Sequence, residues 1–444
     1  MLDICQRDAQ ANKIDTGEIV RELEPLFQEY GYREHEEGEP MKILLLTDAG
    51  VGDFINCSPA IREVRRTYPQ AYITLVVYAR SRDMAIACPY VDQLLVNARR
   101  CSWFNPIELL SWDISFAKKL LPMHYDVCFN FANYGSSFLL SYLCGAAHRF
   151  GYAPENFTCA GPFPYSVVAV FLNHRVPYEK RGTHSVFYYL SLMEKIIGRE
   201  AKDAHPEVWF LANEKEHWQK RLGEIAPRAN WMAVVPGGTD ERRHWPVENY
   251  QELLGRILEV EHGQEIRFLI LGGPADQKDG AWLVEHLPEH AAWNLAGTVN
   301  YRESVAALSC CSCYIGNDTG TLHAAAALHL PVLTPNCYPA DLPMRSTSVP
   351  ATYYPYGVPA VMVLPGHALE ECRASEDAWG CAQDHKTHCI RQISPALMLQ
   401  GYRLLKEKMN AGERDTTFLY EAEGAIASGK SIVVQSLSSL VFSE

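Results

Sequence analysis

The 444-residue sequence predicts an α/β protein built from two doubly wound, Rossmann-like domains in tandem, with a cleft between them. Two runs of alternating strands and helices lead to this prediction, one in each half of the chain. The first run begins with Lys42–Leu46, an apolar stretch typical of a parallel strand covered on both faces. The second begins with Trp231–Val235 and repeats the order of strand, glycine turn and helix. Ligands of such sheets bind outside the carboxyl ends of the strands, so the strand-end loops are candidate sites.

Composition indicates a globular protein. The chain is 48% hydrophobic and 21% charged, and no apolar run is long enough to cross a bilayer. The first residues lack the basic-then-apolar order of a signal peptide. We therefore expect a cytoplasmic protein, and peripheral contact with the inner face of the cytoplasmic membrane stays open. The net charge of −13 argues against nonspecific nucleic-acid binding.

Changes of pattern divide the chain into four segments. Residues 1–40 form an acidic extension with eleven Asp or Glu and four Lys or Arg, and apolar residues near helical spacing predict a helix there. Residues 41–205 are predicted to form the N-terminal Rossmann-like domain and residues 206–400 the C-terminal one. Residues 401–444 are expected to hold a C-terminal helix and a loosely ordered tail.

The loop after the first strand carries a candidate catalytic carboxylate. Gly52 and Asp53 stand at the end of the turn that follows Leu46. A carboxylate in this position can take a proton from an incoming hydroxyl, although a helix-capping role fits it as well. The turn lacks the full dinucleotide fingerprint, which disfavours an NAD site.

Two further features belong to the first half of the chain. Ser58 and Pro59 form a good N-cap and N1 pair, which predicts a helix over Ala60–Thr67. Asn130 ends a strand predicted over Tyr125–Asn130, beside the expected cleft. Asn130 is therefore a second candidate site residue of this domain.

The first strand-end loop of the second half favours an anionic ligand. The glycine turn Pro236–Thr239 leads into adjacent arginines, Arg242 and Arg243. Arginines beside a glycine turn in an acidic protein are typical of anion binding, while a solvated basic loop is the alternative. Arg243 is the better candidate, because Trp245–Pro246 fixes the backbone just after it. The next strand ends in a further glycine turn, Gly272–Gly273.

The stretch Ile315–His323 runs from a strand end through a polar turn into an Ala-rich helix. Asp318 or Thr319 can cap this helix, and Gly320 lets the backbone approach a ligand closely. The unpaired N–H groups and the dipole of a helix N-terminus attract phosphate. An ordinary junction between a strand and a capped helix is the alternative.

The fourteen cysteines include three near the C-terminal end, Cys372, Cys381 and Cys389. Metal sites usually contain a close pair of cysteines, and these three are widely spaced. We therefore expect buried thiols rather than a metal site.

Three blocks of the sequence together resemble the glycosyltransferase family 9 heptosyltransferases. They are Ile43–Ala60, Val235–Tyr250 and Leu269–Leu333, and their order and spacing fit over roughly residues 41–400. The family adds heptose from ADP-heptose to the inner core of lipopolysaccharide. The resemblance implies a GT-B fold, in which two Rossmann-like domains face each other across a cleft. The acceptor would bind to the N-terminal domain and the sugar nucleotide to the C-terminal one.

The resemblance also implies roles for single residues. Asp53 matches the family's proposed general base, and Arg243 falls where the family has a Lys or Arg that would neutralise diphosphate. Gly52 and Asn130 are expected on the acceptor side. The donor-binding residues would be Gly237, Gly238, Thr239, Arg243, Gly273, Asp318, Thr319, Gly320 and His323.

The implied reaction is an inverting transfer without a cofactor, with ADP-heptose as co-substrate. It needs a base on one face of the sugar and stabilisation of the leaving group on the other. Cationic side chains and a helix N-terminus can hold the departing ADP without a metal ion. Thr47 departs from the family pattern, since a basic residue is common at this place before the catalytic Asp.

Other functions stay open. The Cys-bearing end is similar to the autotransporter heptosyltransferases, which modify proteins, but the spacing of its cysteines matches poorly. A sugar-nucleotide-binding protein without activity is a second alternative, and Thr47 alone favours it. A GT-B-like nucleotide-sugar epimerase or an NAD-linked enzyme is a third, and the incomplete fingerprint counts against the NAD-linked enzyme.

Overall fold

The computed structural model describes residues 39–47, 50–98, 106–132, 135–153, 171–177, 182–344, 348–373, 386, 388–423 and 430–439. The chain divides into two compact units, Met1–Arg181 with Val186–Ala204 and Gly182–Ser185 with His205–Glu444. The acidic extension predicted over residues 1–40 lies outside the described residues, apart from its last two.

A parallel sheet forms the centre of the first unit. Its strands are β1 (Lys42–Leu46), β2 (Tyr72–Tyr78), β3 (Gln93–Asn97), β4 (Val127–Asn130), β5 (His148–Tyr152) and β6 (His174–Val176). Their spatial order is β3-β2-β1-β4-β5-β6. The order of the strands reverses between β1 and β4, which is the switch point of a doubly wound sheet.

Helices cover this sheet. Those described are α1 (Val51–Thr67), α2 (Arg82–Ala85), α3 (Pro106–Leu120), α4 (Gly135–Leu143) and α5 (Ser185–Ile197). Phe116 of α3 and Leu140 of α4 pack in one buried cluster with Leu44 and Cys128 of the sheet. This burial explains why the strands are apolar on both faces.

Helix α1 begins earlier than the sequence predicts. The expected start at Ser58 and Pro59 is wrong, because the helix begins at Val51 and contains both residues. Pro59 has no N–H for the carbonyl of Ile55, four residues earlier. The Ser58 hydroxyl donates to that carbonyl at 2.6 Å instead, so the helix continues through the proline.

The second unit contains a larger sheet. Its strands are β7 (Asn230–Val235), β8 (Ile266–Ile270), β9 (Ala292–Asn294), β10 (Tyr314–Gly316), β11 (Val332–Pro335), β12 (Ala360–Val363), β13 (Thr416–Glu423) and β14 (Lys430–Ser436). Their order is β14-β13-β12-β11-β10-β7-β8-β9, and β14 alone among them is antiparallel to its neighbour. Here β7 and β10 flank the switch point.

Helices cover this second sheet as well. They are α6 (Ala212–Ile225), α7 (Val247–Val260), α8 (Gln277–His286), α9 (Tyr301–Leu308), α10 (Gly320–Ala327), α11 (Val349–Thr352), α12 (Glu370–Arg373) and α13 (Pro395–Ala411). Leu253 of α7, Leu283 of α8 and Tyr402 of α13 pack with Val234 and Ile315 of the sheet in one buried cluster. The predicted α/β class with two Rossmann-like domains is confirmed, since both units have a doubly wound sheet.

The expectation of a loosely ordered tail is wrong for residues 416–423 and 430–436. β13 is paired with β12, and β14 is paired with β13. Phe418 and Leu419 of β13 are 1% and 2% exposed, so this strand belongs to the core. None of the helices in the described ranges is long and apolar enough to cross a membrane.

Phe418→Ala tests the contribution of β13. Phe418 packs with Met362 and Leu364, so we expect its truncation to lower the free energy of unfolding by about 3–5 kcal/mol. Val434 of β14 is 56% exposed, and Val434→Ala should cost less than about 1 kcal/mol. Urea-induced unfolding followed by tryptophan fluorescence measures both, and equal losses would contradict a buried β13.

Candidate functional site

The switch point of the second sheet brings two strand-end loops together. β7 ends at Val235 and β10 ends at Gly316, and these two residues are paired in the register of the sheet. The glycine turn follows the first strand, and the Asn317–Thr319 turn follows the second. Ligands of doubly wound sheets bind where the strand order reverses, so these two loops are the candidate ligand site of this unit.

Asn317 ties these loops to each other. Its amide nitrogen donates to the carbonyl oxygens of Pro236 and Gly237, the second at 3.3 Å. Its amide oxygen accepts from the Tyr250 hydroxyl at 2.8 Å and from the backbone N–H of Trp245 at 3.2 Å. These four bonds use the two donors and two lone pairs of the amide. Asn317 therefore holds the site together rather than contacting a ligand.

Asp276 holds the two glycine turns side by side. One carboxylate oxygen accepts from the Gly238 N–H at 3.2 Å, and the other accepts from the Gly273 N–H at 2.8 Å. A Cβ atom at Gly237 would lie 1.9 Å from Asp276 Oδ1, so only glycine fits there. Both oxygens of Asp276 thus bind the backbone of the glycine turns.

The two adjacent arginines share Asp240 as an ion-pair partner, but they make different hydrogen bonds. Arg242 forms a fork on Asp240, with Nη2 at 2.8 Å from Oδ2 and Nε at 3.0 Å from Oδ1. Burial acts to raise the pKa of Asp240, but Arg242 and Arg243 hold it below its usual value. Arg243 instead donates from Nη1 to the Asp318 carbonyl at 2.9 Å. Arg243 is therefore the arginine that reaches the loop after β10.

Asp318 is enclosed by its neighbours. It is 2% exposed, and burial raises the pKa of its carboxyl although Arg243 opposes this effect. Arg243 Nη1 lies 3.8 Å from Oδ1, and the Asn336 amide donates to Oδ2 at 3.3 Å. Such a buried and contacted carboxylate suits orientation of the loop or of a ligand hydroxyl better than proton abstraction.

Thr319 caps helix α10. Its hydroxyl accepts from the Thr321 N–H at 3.3 Å, which settles the choice that the sequence leaves between Asp318 and Thr319. A Cβ at Gly238, where φ is +150°, would lie 2.8 Å from Thr319 Cγ2. The glycine turn therefore packs directly on the helix N-terminus, whose N–H groups and dipole favour an anion.

His323 lies one turn into α10 and is 6% exposed. Burial lowers its pKa to about 3, and Arg243 adds to this effect. His323 is therefore neutral at pH 7 and can form a hydrogen bond to a ligand without adding charge. The positive charge beside this loop comes from Arg243.

In the first unit, Asp53 lies in the first turn of α1, directly after β1. Gly50 is the N-cap residue, and its carbonyl accepts from the Phe54 N–H at 2.9 Å. A Cβ atom at Gly50 would lie 3.5 Å from Asp53 Oδ2, so the carboxylate lies beside the start of the helix. Asp53 and Gly52 are half-buried. Asp53 is thus placed at the switch point, where doubly wound sheets bind their ligands.

Asn130 lies on the other side of this switch point, paired with Leu46 of β1. It is 1% exposed, and its oxygen accepts from the Ala132 N–H at 3.1 Å. Its amide nitrogen makes no hydrogen bond within the described part of the chain. Thr47 is also buried, and its hydroxyl donates to the Val76 carbonyl at 2.9 Å. Thr47 therefore stabilises the sheet, whereas Asn130 keeps a donor for another group.

The cysteine cluster is only partly described. Cys372 and Cys389 are buried, and burial is the main cause that raises the pKa of the Cys389 thiol to about 12. Cys381 lies outside the described residues. Among the residues with a described position, no group of three His, Cys, Asp or Glu could hold a metal ion.

The family model for "Glycosyltransferase family 9 (heptosyltransferase)" matches residues 114–338, which is just over half of the chain. The chain belongs to this family. The lipopolysaccharide heptosyltransferase 2 of Escherichia coli (strain K12) is 25% identical to this family 9 protein over 307 residues. The alignment covers 66% of this chain and 82% of that enzyme.

Solved structures of family members show that the family 9 protein has the predicted GT-B fold. A glycosyl transferase family 9 protein from Veillonella parvula DSM 2008 has a TM-score of 0.65 at 16% identity, covering 84% of this chain and 99% of that chain. The E. coli ADP-heptose lps heptosyltransferase II has a TM-score of 0.60 at 21% identity, covering 83% of this chain and 100% of that chain.

The structure places the sequence candidates of this family 9 protein in two groups. Asp53, Gly52 and Asn130 lie at the switch point of the first unit. The candidates of the second unit lie on its strand-end loops and on α10: Gly237, Gly238, Thr239, Arg243, Gly273, Asp318, Thr319, Gly320 and His323. Sequence reasoning misses Asn317 and Asn336. Both stand directly after a strand, and that position is the signal that could have found them.

Gly237→Ala tests the packing of the glycine turn. The new Cβ would collide with Asp276, so we expect the turn to shift and the free energy of unfolding to fall by about 1–3 kcal/mol. Gly223→Ala is the matched control, because Gly223 lies within α6 and a Cβ added there would meet no atom within 4 Å. It should be neutral or stabilising by up to about 1 kcal/mol. Thermal unfolding compares the two, and an unaffected Gly237→Ala would contradict the clamp by Asp276.

Proposed function

We propose that this protein is an inverting glycosyltransferase that moves a heptose, or a similar sugar, from ADP-heptose to a hydroxyl of a cell-envelope glycan such as the lipopolysaccharide inner core. The observation that carries the proposal is the contact of Arg243 with the Asp318 loop at the N-terminus of α10. It puts a cation beside the N–H groups of a helix start, which suits a diphosphate. Family membership and the ADP-heptose named for the E. coli relative support the choice of donor.

The proposed donor site stabilises the leaving group. As the bond between the anomeric carbon and the ADP oxygen breaks, negative charge grows on the diphosphate. The Arg243 guanidinium and the first N–H groups of α10 would hold that charge in a fixed arrangement, which lowers the barrier. His323 would donate or accept a hydrogen bond as a neutral ring, and Asp318 would orient a sugar hydroxyl. No step of this mechanism requires a metal ion.

The proposed base is Asp53. The acceptor oxygen attacks the anomeric carbon from the face opposite ADP, so the new bond has inverted configuration, and Asp53 takes the hydroxyl proton. Its half-buried position in the first turn of α1 supports this role, because a base must be reachable by substrate. Gly52 and the amide of Asn130 would contact the acceptor. A cytoplasmic location, with access to lipid-linked glycan at the membrane, is part of the proposal.

Asp53→Asn separates the base from the binding site. We expect transfer of labelled sugar from ADP-heptose to fall by roughly 100-fold or more, with the Kd for ADP unchanged. Asp83→Asn is the matched control, since Asp83 is a half-buried carboxylate in the first turn of α2. It should keep wild-type transfer. Product mass spectrometry with envelope glycan acceptors gives the rates, and full turnover by Asp53→Asn would sink the assignment.

Arg243→Gln should weaken donor binding as well as transfer in the same experiment. Loss of the cation is expected to weaken ADP binding by about ten-fold. Arg256→Gln on the surface of α7 is its control, because Arg256 pairs with Glu252 of the same helix at 2.6 Å. A wild-type protein that binds ADP-heptose but transfers nothing to any glycan would indicate the non-catalytic alternative.

A further inference from the structure

A short segment of the chain belongs to the second unit although it comes earlier in the sequence than the main part of that unit. Gly182–Ser185 belongs to that unit, whereas Val186–Ala204 belongs to the first unit and His205 begins the main part of the second. Because the segment has only four residues, a few side chains must fix it in place. His184 is the most deeply buried residue of the segment, at 1% exposed.

His184 is held by two tyrosines. Its ring lies edge-on to Tyr354, with 4.5 Å between ring centroids, and 4.9 Å from the ring of Tyr356. Its Nε2 lies 2.9 Å from the Tyr354 carbonyl oxygen. A carbonyl oxygen can only accept, so Nε2 carries the proton and donates this hydrogen bond. The contact therefore fixes both the ring and its tautomer.

Burial keeps this ring neutral. It lowers the pKa of His184 to about 3, and the neighbouring His323 adds to this effect. His184 is thus near enough to His323 of α10 for the two rings to influence each other. A buried neutral donor that satisfies a buried carbonyl is costly to remove, since the carbonyl would be left without a partner.

The same tyrosine segment reaches the candidate donor site. Tyr353, the residue before Tyr354, lies edge-on to His323 with 6.2 Å between ring centroids. His323 in turn is close enough to Arg243 for the guanidinium to lower the pKa of the imidazole. A series of contacts therefore runs from His184 through Tyr354 and its neighbour Tyr353 to His323.

We propose that His184 is a positioning residue for the nucleotide-sugar donor, which holds Tyr353 against His323 by its hydrogen bond to the Tyr354 carbonyl. This inference rests on the proposed function, because it assumes that the α10 loop binds the donor. His184 lies far from this loop in sequence and outside the three blocks that resemble the family. It acts through Tyr353 and His323, so its loss should weaken donor binding and leave acceptor binding unchanged.

Two substitutions, made in the whole chain, separate the hydrogen bond that His184 donates from the packing of its aromatic ring. His184→Phe keeps an aromatic ring but cannot donate to the Tyr354 carbonyl. We expect its Kd for ADP, measured by calorimetry, to rise about ten-fold. His184→Gln keeps an N–H at the position of Nε2, and its Kd should stay within about three-fold of wild type. The KM for the acceptor should stay the same in both variants.

His286→Phe is the matched control. His286 of α8 also contacts a backbone carbonyl, that of Trp282 at 2.8 Å, and stacks on the Trp282 ring at 4.1 Å. It should bind ADP like wild type. A His184→Phe variant that loses thermal stability yet binds ADP with unchanged Kd would show a merely structural role and overturn the inference. Failure of the wild type itself to bind ADP would overturn the proposed donor site, which is a separate and distinguishable result.

Discussion

The candidate site of the second unit depends on the side chain of Asn317. Polypeptide that leaves the end of a parallel strand has backbone groups without partners, and these must be satisfied if the loop is to hold one shape. A single buried amide does this for the backbone of Pro236, Gly237 and Trp245, and it also accepts from the Tyr250 hydroxyl. Its loss would leave several buried groups unpaired, each at a cost of about 1–3 kcal/mol. The two strand-end loops, Trp245 and α7 would then no longer be hydrogen-bonded to one common side chain.

The two units share a doubly wound sheet but have different types of residue near its switch point. Each has most of its candidate residues at the carboxyl ends of the strands that flank a switch point, in the loops and helix starts that follow those strands. The first unit offers a reachable carboxylate, Asp53, and a buried amide donor, Asn130. The second offers Arg243 and a capped helix start, with His323 kept neutral by burial.

The sequence predicts the strand-end loops well, because strands buried on both faces appear as unbroken apolar runs. Prediction from the sequence fails where the local sequence pattern indicates one structure and a contact with another part of the fold decides for a different one. Ser58 and Pro59 look like a helix start, but the Ser58 hydroxyl replaces the bond that the proline removes. β13 and β14 have a weak pattern, and their pairing with the sheet decides their structure. Asn317 is missed because its partners lie about 70–80 residues away along the chain.

Asp276 has a consequence for how this family can diverge. Its carboxylate occupies the space in which a side chain at Gly237 would stand, and a Cβ at Gly272 would lie 2.7 Å from Asp276 Oδ2. A larger residue at either glycine therefore fits only if a smaller residue replaces Asp276. That replacement would remove the hydrogen-bond acceptor of the Gly238 and Gly273 N–H groups. Substitutions at Gly237, Gly272 and Asp276 are therefore coupled, since a change at one of them alone is expected to disturb the turns.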